Sequence, residues 1–541
     1  MIVGDINKIN LTTSSFERMI TEGLLYIDKT KLIENFLNSS NFIHLVARQR
    51  RLGKSLNMDM LRCFLTDKKD LRHLFKGLYV ESSQVWDKVN SAPVFYFDFK
   101  GLRTDTYRRV IYDMVCDYID SYCTDADLSR GARRYLTSDD FDNTEGLKYL
   151  TEAAYKATGK RSYILIDEYD KMLMEYYNSD MYDEIKSFET AFLSAGLKGN
   201  EYLEKALLTG VMRISHESML SGLNNIVTFD VFRDDVYTDD YGLTEGETEA
   251  LSKMTKFNID EARSWYNGIR INGKPIYNIY ALLSYLSHGE YSCYWGKSGT
   301  MDMVADLLND ERRATLAKLL NGEQVSVPIV NRISLRDLSG KSSDQGFYSL
   351  LVQSGYLALC TAVSGKDSFA SVSIPNIELQ IVWKQFILEK LYPNTPRIRT
   401  LFDNADNLDV FSKDLEYFLC DRLSYHDLAV SKADDKRRMQ ERLYHIFLLG
   451  ILSAYDDVRC QYPLSNRESG GGRYDALVQK PDANFIFEFK VSNDAEGLMA
   501  KAQEALHQIE VKRYGAGLNS EKRLVKVGIA FYGKQCCVAS C

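Results

Sequence analysis

The chain has 541 residues, too many for one hydrophobic core, so about two to four domains are expected. Its apolar (45%) and charged (26%) fractions are those of a globular protein, and 8 prolines leave little room for disordered linkers. A net charge of −8 excludes a basic field over the whole molecule, so any contact with nucleic acid must be local.

The N-terminus, MIVGDINKIN, lacks the positive-then-apolar pattern of a signal peptide. No run of 18 apolar residues occurs anywhere, so no membrane span is expected. Tyr26-Ile27-Asp28-Lys29-Thr30 precedes a helical pattern (Leu32, Ile33, Phe36, Leu37), with Thr30 placed to cap it. Phe42 to Val46 then reads as a buried strand. After a seven-residue loop come Gly53-Lys54-Ser55, followed by Leu56, Met60 and Phe64 at helical spacing.

Strand, loop, Gly-Lys-Ser and helix is the order of a phosphate-binding P-loop. Glycine lets backbone N–H groups approach phosphate, lysine adds a point charge, and serine can ligate Mg²⁺. The usual first glycine is replaced by Arg48. Gly-Lys-Ser alone is a weak signal, so a second half is required. Tyr163-Ile164-Leu165-Ile166-Asp167-Glu168 supplies it: Asp167 would hold Mg²⁺ through water and Glu168 would polarise the attacking water. A surface loop plus an unrelated core strand is the competing reading.

Further strands are expected at Ala92–Phe99, ending near Asp98, and at Ala206–Val211. Thr209 at that end can sense the γ-phosphate or simply cap the strand. Strands alternating with helices predict a parallel sheet covered on both faces, with ligands at the C-terminal strand ends, where His44–Val46, Asp98, Asp167 and Thr209 converge. The domain expected over 1–240 is therefore α/β. A helical lid or winged-helix-like region is expected over 241–375, including a Thr244–Glu247 capping box and a hairpin at Asn272-Gly273. The aromatics of Trp265-Tyr266-Asn267-Gly268 pack that turn or meet a nucleotide or partner. Phe347–Leu359 reads as a helix, and 376–430 as a helical linker.

Residues 431–541 carry 17 basic against 14 acidic residues, a weak +3 tilt. They begin with a helix near Glu441–Leu452. Two strands, Tyr474–Val478 and Asn484–Val491, flank a type I turn at Lys480-Pro481-Asp482-Ala483. In that hairpin Asp475 lies opposite Glu488, at a Cβ separation of about 4.5–5.5 Å, where both could share one Mg²⁺. Lys490 emerges on the same face as Glu488. Two acids and a lysine suit metal-assisted phosphodiester cleavage. The other reading is an exposed charge pair on an edge strand. Gln503, His507 and Gln508 on the next helix are within reach. The ten cysteines form no C-x-x-C pair, which fits a reducing cytoplasm; Cys536, Cys537 and Cys541 read as frayed tail thiols.

These motifs resemble a bacterial family that joins an AAA-ATPase-like domain to a PD-(D/E)XK nuclease-superfamily domain of restriction-endonuclease-like α/β fold. On the N-terminal side the resemblance rests on Tyr26–Thr30, Arg48–Leu56, Ile166-Asp167-Glu168-Tyr169-Asp170, Leu208–Val211, Tyr266-Asn267-Gly268 and Ser354–Leu357. On the C-terminal side it rests on Ser465–Gly470, Gly472–Asp475 and Glu488-Phe489-Lys490. The family's loop has proline and phenylalanine where Gln49 and Leu52 stand here. The resemblance implies ATP binding at Lys54 and Ser55; the motif reading adds Arg51, Gly53, Asp167 and Thr209 to the expected ATP site and puts Mg²⁺ at Ser55 and Asp167. The resemblance also implies metal-dependent phosphodiester chemistry at Asp475, Glu488 and Lys490. The expected partners are ATP, DNA or RNA, and a second copy of the chain. A nucleotide-switched scaffold with a non-catalytic nuclease fold is the alternative. The sequence does not choose an arginine finger among Arg48, Arg50, Arg51 and Arg213.

Overall fold

A computed structural model describes residues 1–391 except 139, 214–224, 296–298, 321, 332, 334–343 and 362–368. It describes residues 461–541 except 465–467, 470–471, 480–482, 517, 519–521 and 533–534, and between them only 407, 410, 413 and 414. The helix expected near 441–452, most of 376–430 and the Pro481-Asp482 turn lie outside the described residues. The chain divides into two units, Met1–Thr300 with Ser326–Glu378, and Met301–Val325 with Leu379–Cys541.

In the first unit, short β-branched and aromatic runs form β1 (Ile43–Ala47), β2 (Val94–Asp98), β3 (Ser162–Asp167), β4 (Leu203–Gly210) and β5 (Ile226–Phe229). All pair in parallel, in the order β2-β3-β4-β1-β5. Every residue of β1 and β3 is buried, as required of strands covered on both faces. Parallel pairing brings the C-terminal ends to one edge, with Asp98 beside Asp167 and Val46 beside Thr209. The fifth strand is not anticipated by the sequence reading. Its four residues are too few to show a period, although Ile226-Val227-Thr228 is β-branched.

Helix α1 (Lys54–Leu65) follows β1 and buries Met60 and Phe64 completely. Helices α2 (Tyr107–Tyr122), α3 (Gly146–Thr158) and α4 (Tyr182–Leu197) form a layer in which α3 packs on both neighbours. Thr30 does not cap the helix Lys31–Asn38: its hydroxyl donates instead to Asp28 Oδ1 at 2.7 Å.

The helical region contains α5 (Glu245–Thr255), α6 (Ile259–Tyr266), α7 (Ile279–His288) and α8 (Asp344–Ser354). The Thr244–Glu247 capping box is present. So is the hairpin Ile269–Ile271/Lys274–Ile276, turned by Asn272 (φ 49°) and Gly273 (φ 79°) as a two-residue loop of positive φ requires. Leu251, Tyr266, Tyr277 and Leu282 share a core with Leu25 and Ile27, which anchors these helices to the N-terminal segment. The helix expected to run to Leu359 stops at Ser354, because Gly355 (φ 88°) turns the chain into the short strand Ala358–Leu359.

The second unit holds a sheet of β6 (Gln461–Leu464), β7 (Ala476–Gln479), β8 (Ala483–Val491), β9 (Arg523–Tyr532) and β10 (Gln535–Ser540). Their order is β6-β7-β8-β9-β10, with only β8 and β9 parallel. Helix α9 (Leu498–Val511) makes the parallel crossover and packs on β9. Strand β8 is therefore central, and the edge-strand reading of Glu488 is overturned. The cysteine tail is not frayed either: Cys536 and Cys537 sit in β10, paired with Phe531 and Ala530. Among the described residues no helix is long and apolar enough to cross a membrane.

Candidate phosphate-binding and metal sites

The loop between β1 and α1 is fixed at both ends. Arg48 N–H donates to Gly210 O at 2.9 Å, and Gly242 N–H donates to Leu52 O at 3.0 Å. Arg48, in the place of the usual glycine, is fully buried: it pairs with Asp234 and donates to Ala47 O and Phe229 O. Gly53 caps α1 at φ 87°, and Arg51 is also left-handed at φ 65°. No atom lies within 4 Å of a Cβ added at Gly53, so glycine is needed there for its backbone angle rather than for space. Lys54 Nζ folds back on the loop, donating to Arg48 O (3.2 Å) and Gln49 O (3.1 Å).

The acids stand opposite. Asp167 is buried; Oδ1 accepts from Thr209 Oγ1 and, at 3.0 Å, from Glu168 N. Glu168 turns out of β3 with φ 56° and faces a cleft of about 480 Å³. Gly53, Lys54, Ser55 and Arg50 line the same cleft, together with Asp98 and the apolar Leu11, Tyr280 and Leu283. That volume lies within the range of small-molecule sites. Burial raises the carboxyl of Asp98 above its usual range, against the hydrogen bond from Lys100 N. Asp170, fully buried, accepts from the N–H groups of Val211 (2.9 Å) and Met212 (2.7 Å). Desolvation, with Glu168 nearby, pushes it up to about 6.

Thus Gly53, Lys54, Ser55 and Glu168 line one cleft, while Asp167 and Thr209 do not line it but are buried and bonded to each other. Arg51 also lines the cleft, but its guanidinium is engaged. It lies 4.2 Å from the Tyr280 ring centre and donates to Tyr294 O, which ties the loop to α7 and its following segment. Gln49 rests on Gly355, where an added Cβ would fall 2.6 Å from Gln49 Cγ. His44 is not at the cleft: it is buried within β1, its Nδ1 lies 2.6 Å from Tyr237 Oη, and burial lowers its pKa to about 4.

Sequence reasoning missed Asp234, Tyr280 and the Asn10–Ser14 wall, which no local motif marks. Lys29, inside a recognised motif, proves to bind both Glu247 oxygens at 2.7 Å and Asp239 O at 2.8 Å. Ser55 and Asp167 are hard oxygen donors, the set Mg²⁺ accepts.

In the second unit Ala476 pairs with Phe487 and Leu477 with Ile486; this register ends at Ala476, and Asp475 stands just before the strand rather than in a regular pair with Glu488. Asp475 N donates to Phe487 O at 3.2 Å, and its Oδ2 accepts from Phe489 N at 2.7 Å. Glu488 is 4% exposed in the middle of the sheet. Gln508 of α9 joins the charges: its Nε2 donates to Glu488 Oε1 and its Oε1 accepts from Lys490 Nζ at 2.6 Å. The approach of α9 depends on Gly528, paired with Glu488 across the sheet. A Cβ there would lie 2.3 Å from Ala502 O. Gln503 and His507 are exposed, and of the three it is Gln508 that bonds Glu488. Among the described residues no group of three or more His, Cys, Asp or Glu side chains is arranged around a metal position. Two carboxylates completed by water nevertheless suit Mg²⁺, which keeps much of its hydration.

Comparison with known proteins agrees with both halves. A family model described as "Predicted AAA-ATPase" matches residues 10–220, and one described as "PD-(D/E)XK nuclease superfamily" matches 439–540. An "Uncharacterized protein in vnfD 5'region" from Azotobacter chroococcum mcd 1 is 26% identical over 381 residues, covering 68% of this chain and 67% of that protein. The parallel sheet with its Gly-Lys-Ser loop and the mixed sheet that carries Glu488 are thus an AAA-ATPase-like domain and a PD-(D/E)XK nuclease-superfamily domain on a single chain.

Proposed function

We propose that the chain is a cytoplasmic ATPase whose nucleotide state controls an attached Mg²⁺-dependent nuclease acting on DNA or RNA. The observation that carries the reading is the buried Glu488 on a central strand, with the Asp475 carboxylate on Phe489 N beside it, Lys490 two residues on and Gln508 joining Lys490 to Glu488. The first unit supports the nucleotide half through its cleft, where Lys54 and Ser55 face Glu168.

Lys54 would leave the carbonyls of Arg48 and Gln49 for phosphate oxygens. Glu168 would accept the proton of the attacking water, and Ser55 and Asp167 would hold Mg²⁺. In the second unit Asp475 and Glu488 would hold Mg²⁺, and Lys490 would stabilise charge on the scissile phosphate. Bound Mg²⁺ supplies Lewis-acid polarisation of the phosphate and lowers the pKa of a bound water.

The test incubates purified protein with Mg²⁺ and labelled DNA or RNA, comparing wild type with Asp475→Ala and Lys490→Ala. Cleavage by wild type alone supports the nuclease; equal cleavage by all three removes it. Absence of cleavage together with an ATP-dependent change in oligomeric state favours a nucleotide-switched scaffold. For the ATPase half, Lys54→Ala is expected to abolish ATP binding in a titration, and unchanged affinity contradicts the site.

A further inference from the structure

Three of the four arginines around the phosphate loop are already engaged. Arg48 is paired with Asp234 and fully buried. Arg213 Nη1 lies 3.2 Å from Asp230 Oδ2, and its N–H donates to Gln353 Oε1 at 2.8 Å. Arg51 is held by Tyr280 and Tyr294 O. Arg50 differs. It is half-buried and lines the cleft beside Gly53, Lys54, Ser55 and Glu168, and its guanidinium has no ion pair or hydrogen bond among the described residues.

The other cations of the cleft sharpen the contrast. Lys29 is paired with Glu247, Lys171 with Glu175, and Lys54 with loop carbonyls. Lys100 is exposed, on the turn after Asp98. A half-buried guanidinium without an anion carries a desolvation cost that a ligand can offset. Its planar fork fits phosphate oxygens better than an ammonium does. Its position two residues after Arg48 and three before Gly53 places it on the loop that would wrap the phosphates.

We infer that Arg50 is a catalytic residue acting in cis: its guanidinium contacts the terminal phosphate of bound ATP and neutralises charge as that phosphate is transferred to water. Water attacks the γ-phosphorus, the bond to the β-phosphate oxygen breaks, ADP and phosphate leave, and the water's proton passes to Glu168. No arginine from a second subunit is required. The inference rests on the ATP reading of the same cleft.

The experiment measures ATP binding, ATP hydrolysis and trapping of ADP with aluminium fluoride on the full chain, for wild type, Arg50→Ala and Arg50→Lys. Thermal melts confirm that each variant is folded. Arg50→Ala is expected to keep ATP binding, to lose hydrolysis by about 1000-fold or more, and to lose trapping of the transition-state analogue. Arg50→Lys is expected to recover part of both, since an ammonium restores the charge without the fork. Three results overturn the inference: Arg50→Ala retaining about a tenth or more of wild-type turnover, Arg50→Ala still trapping the analogue, or rescue of Arg50→Ala by mixing with Lys54→Ala chains, which places the essential arginine in trans. A wild-type chain that binds no ATP refutes the nucleotide reading itself, whereas normal wild-type hydrolysis with an unaffected Arg50→Ala refutes only the role of Arg50.

Discussion

Arg48 and Asp234 form an ion pair in which neither side chain is exposed. It occupies the position where a phosphate loop ordinarily starts with glycine, and it joins β1 to the segment after β5. Removing one partner leaves the other charge buried and uncompensated. Asp234→Ala is therefore expected to cost about 3–5 kcal/mol, read as a lower urea midpoint at unchanged slope. A midpoint equal to wild type would show that the pair contributes nothing to holding the loop.

Thr209 spends its hydroxyl on Asp167 rather than on the cleft. Thr209→Val keeps the shape and removes that bond. A hydrogen bond to a charged group is worth about 1.5–3 kcal/mol, so ATP turnover is expected to fall by about ten- to a hundredfold if Asp167 is thereby misplaced. ATP affinity should change much less, and steady-state kinetics separate the two.

Gln508 hydrogen-bonds both Glu488 and Lys490. Gln508→Leu should reduce Mg²⁺-dependent cleavage by about tenfold or more, through loss of orientation of the acid and the ammonium. Circular dichroism should be unchanged, since Gln508 is only half-buried. Full cleavage by this variant would make the bridge ornamental.

Asp240 is 2% exposed and accepts from Asn35 Nδ2 at 2.8 Å; burial pushes its carboxyl up to about 7. An unfolded aspartate loses its proton near pH ~3.9. Between these values the folded chain keeps a proton that the unfolded chain releases, so this group's contribution to stability falls as pH rises. Asp240→Asn stays neutral throughout. It should raise the thermal midpoint at pH 8, with the gain shrinking steadily toward pH 4. A gain independent of pH would mean that Asp240 is not protonated in the folded state.

The parts legible in the sequence were those written in local periodicity or in one short turn. The four strands that carry Val46, Asp98, Asp167 and Thr209 each have an apolar run. The pairing of Ala476–Gln479 with Asn484–Phe487 follows from counting outward from Pro481-Asp482, whereas Asp475, one residue further, falls outside that regular ladder. What escaped were pairings between distant segments. Arg48 meets a residue 186 positions away, and Arg51 one 243 positions away. The β10 strand was hidden because Gln535–Ser540 is half-polar, with Cys536 and Cys537 near its start and nothing in it to distinguish an edge strand from a tail.

The bare Cα of Gly355 under Gln49 has a consequence for how this molecule can diverge. Positions 49 and 355 share one volume, so descent cannot enlarge one without shrinking the other. A smaller residue at 49 would relieve that contact but not free position 355, where φ 88° strains any side chain and an added Cβ also falls 3.0 Å from Trp295 Cη2. Swapping the loop alone between related chains should therefore fail, where transplanting the loop together with the turn after α8 succeeds.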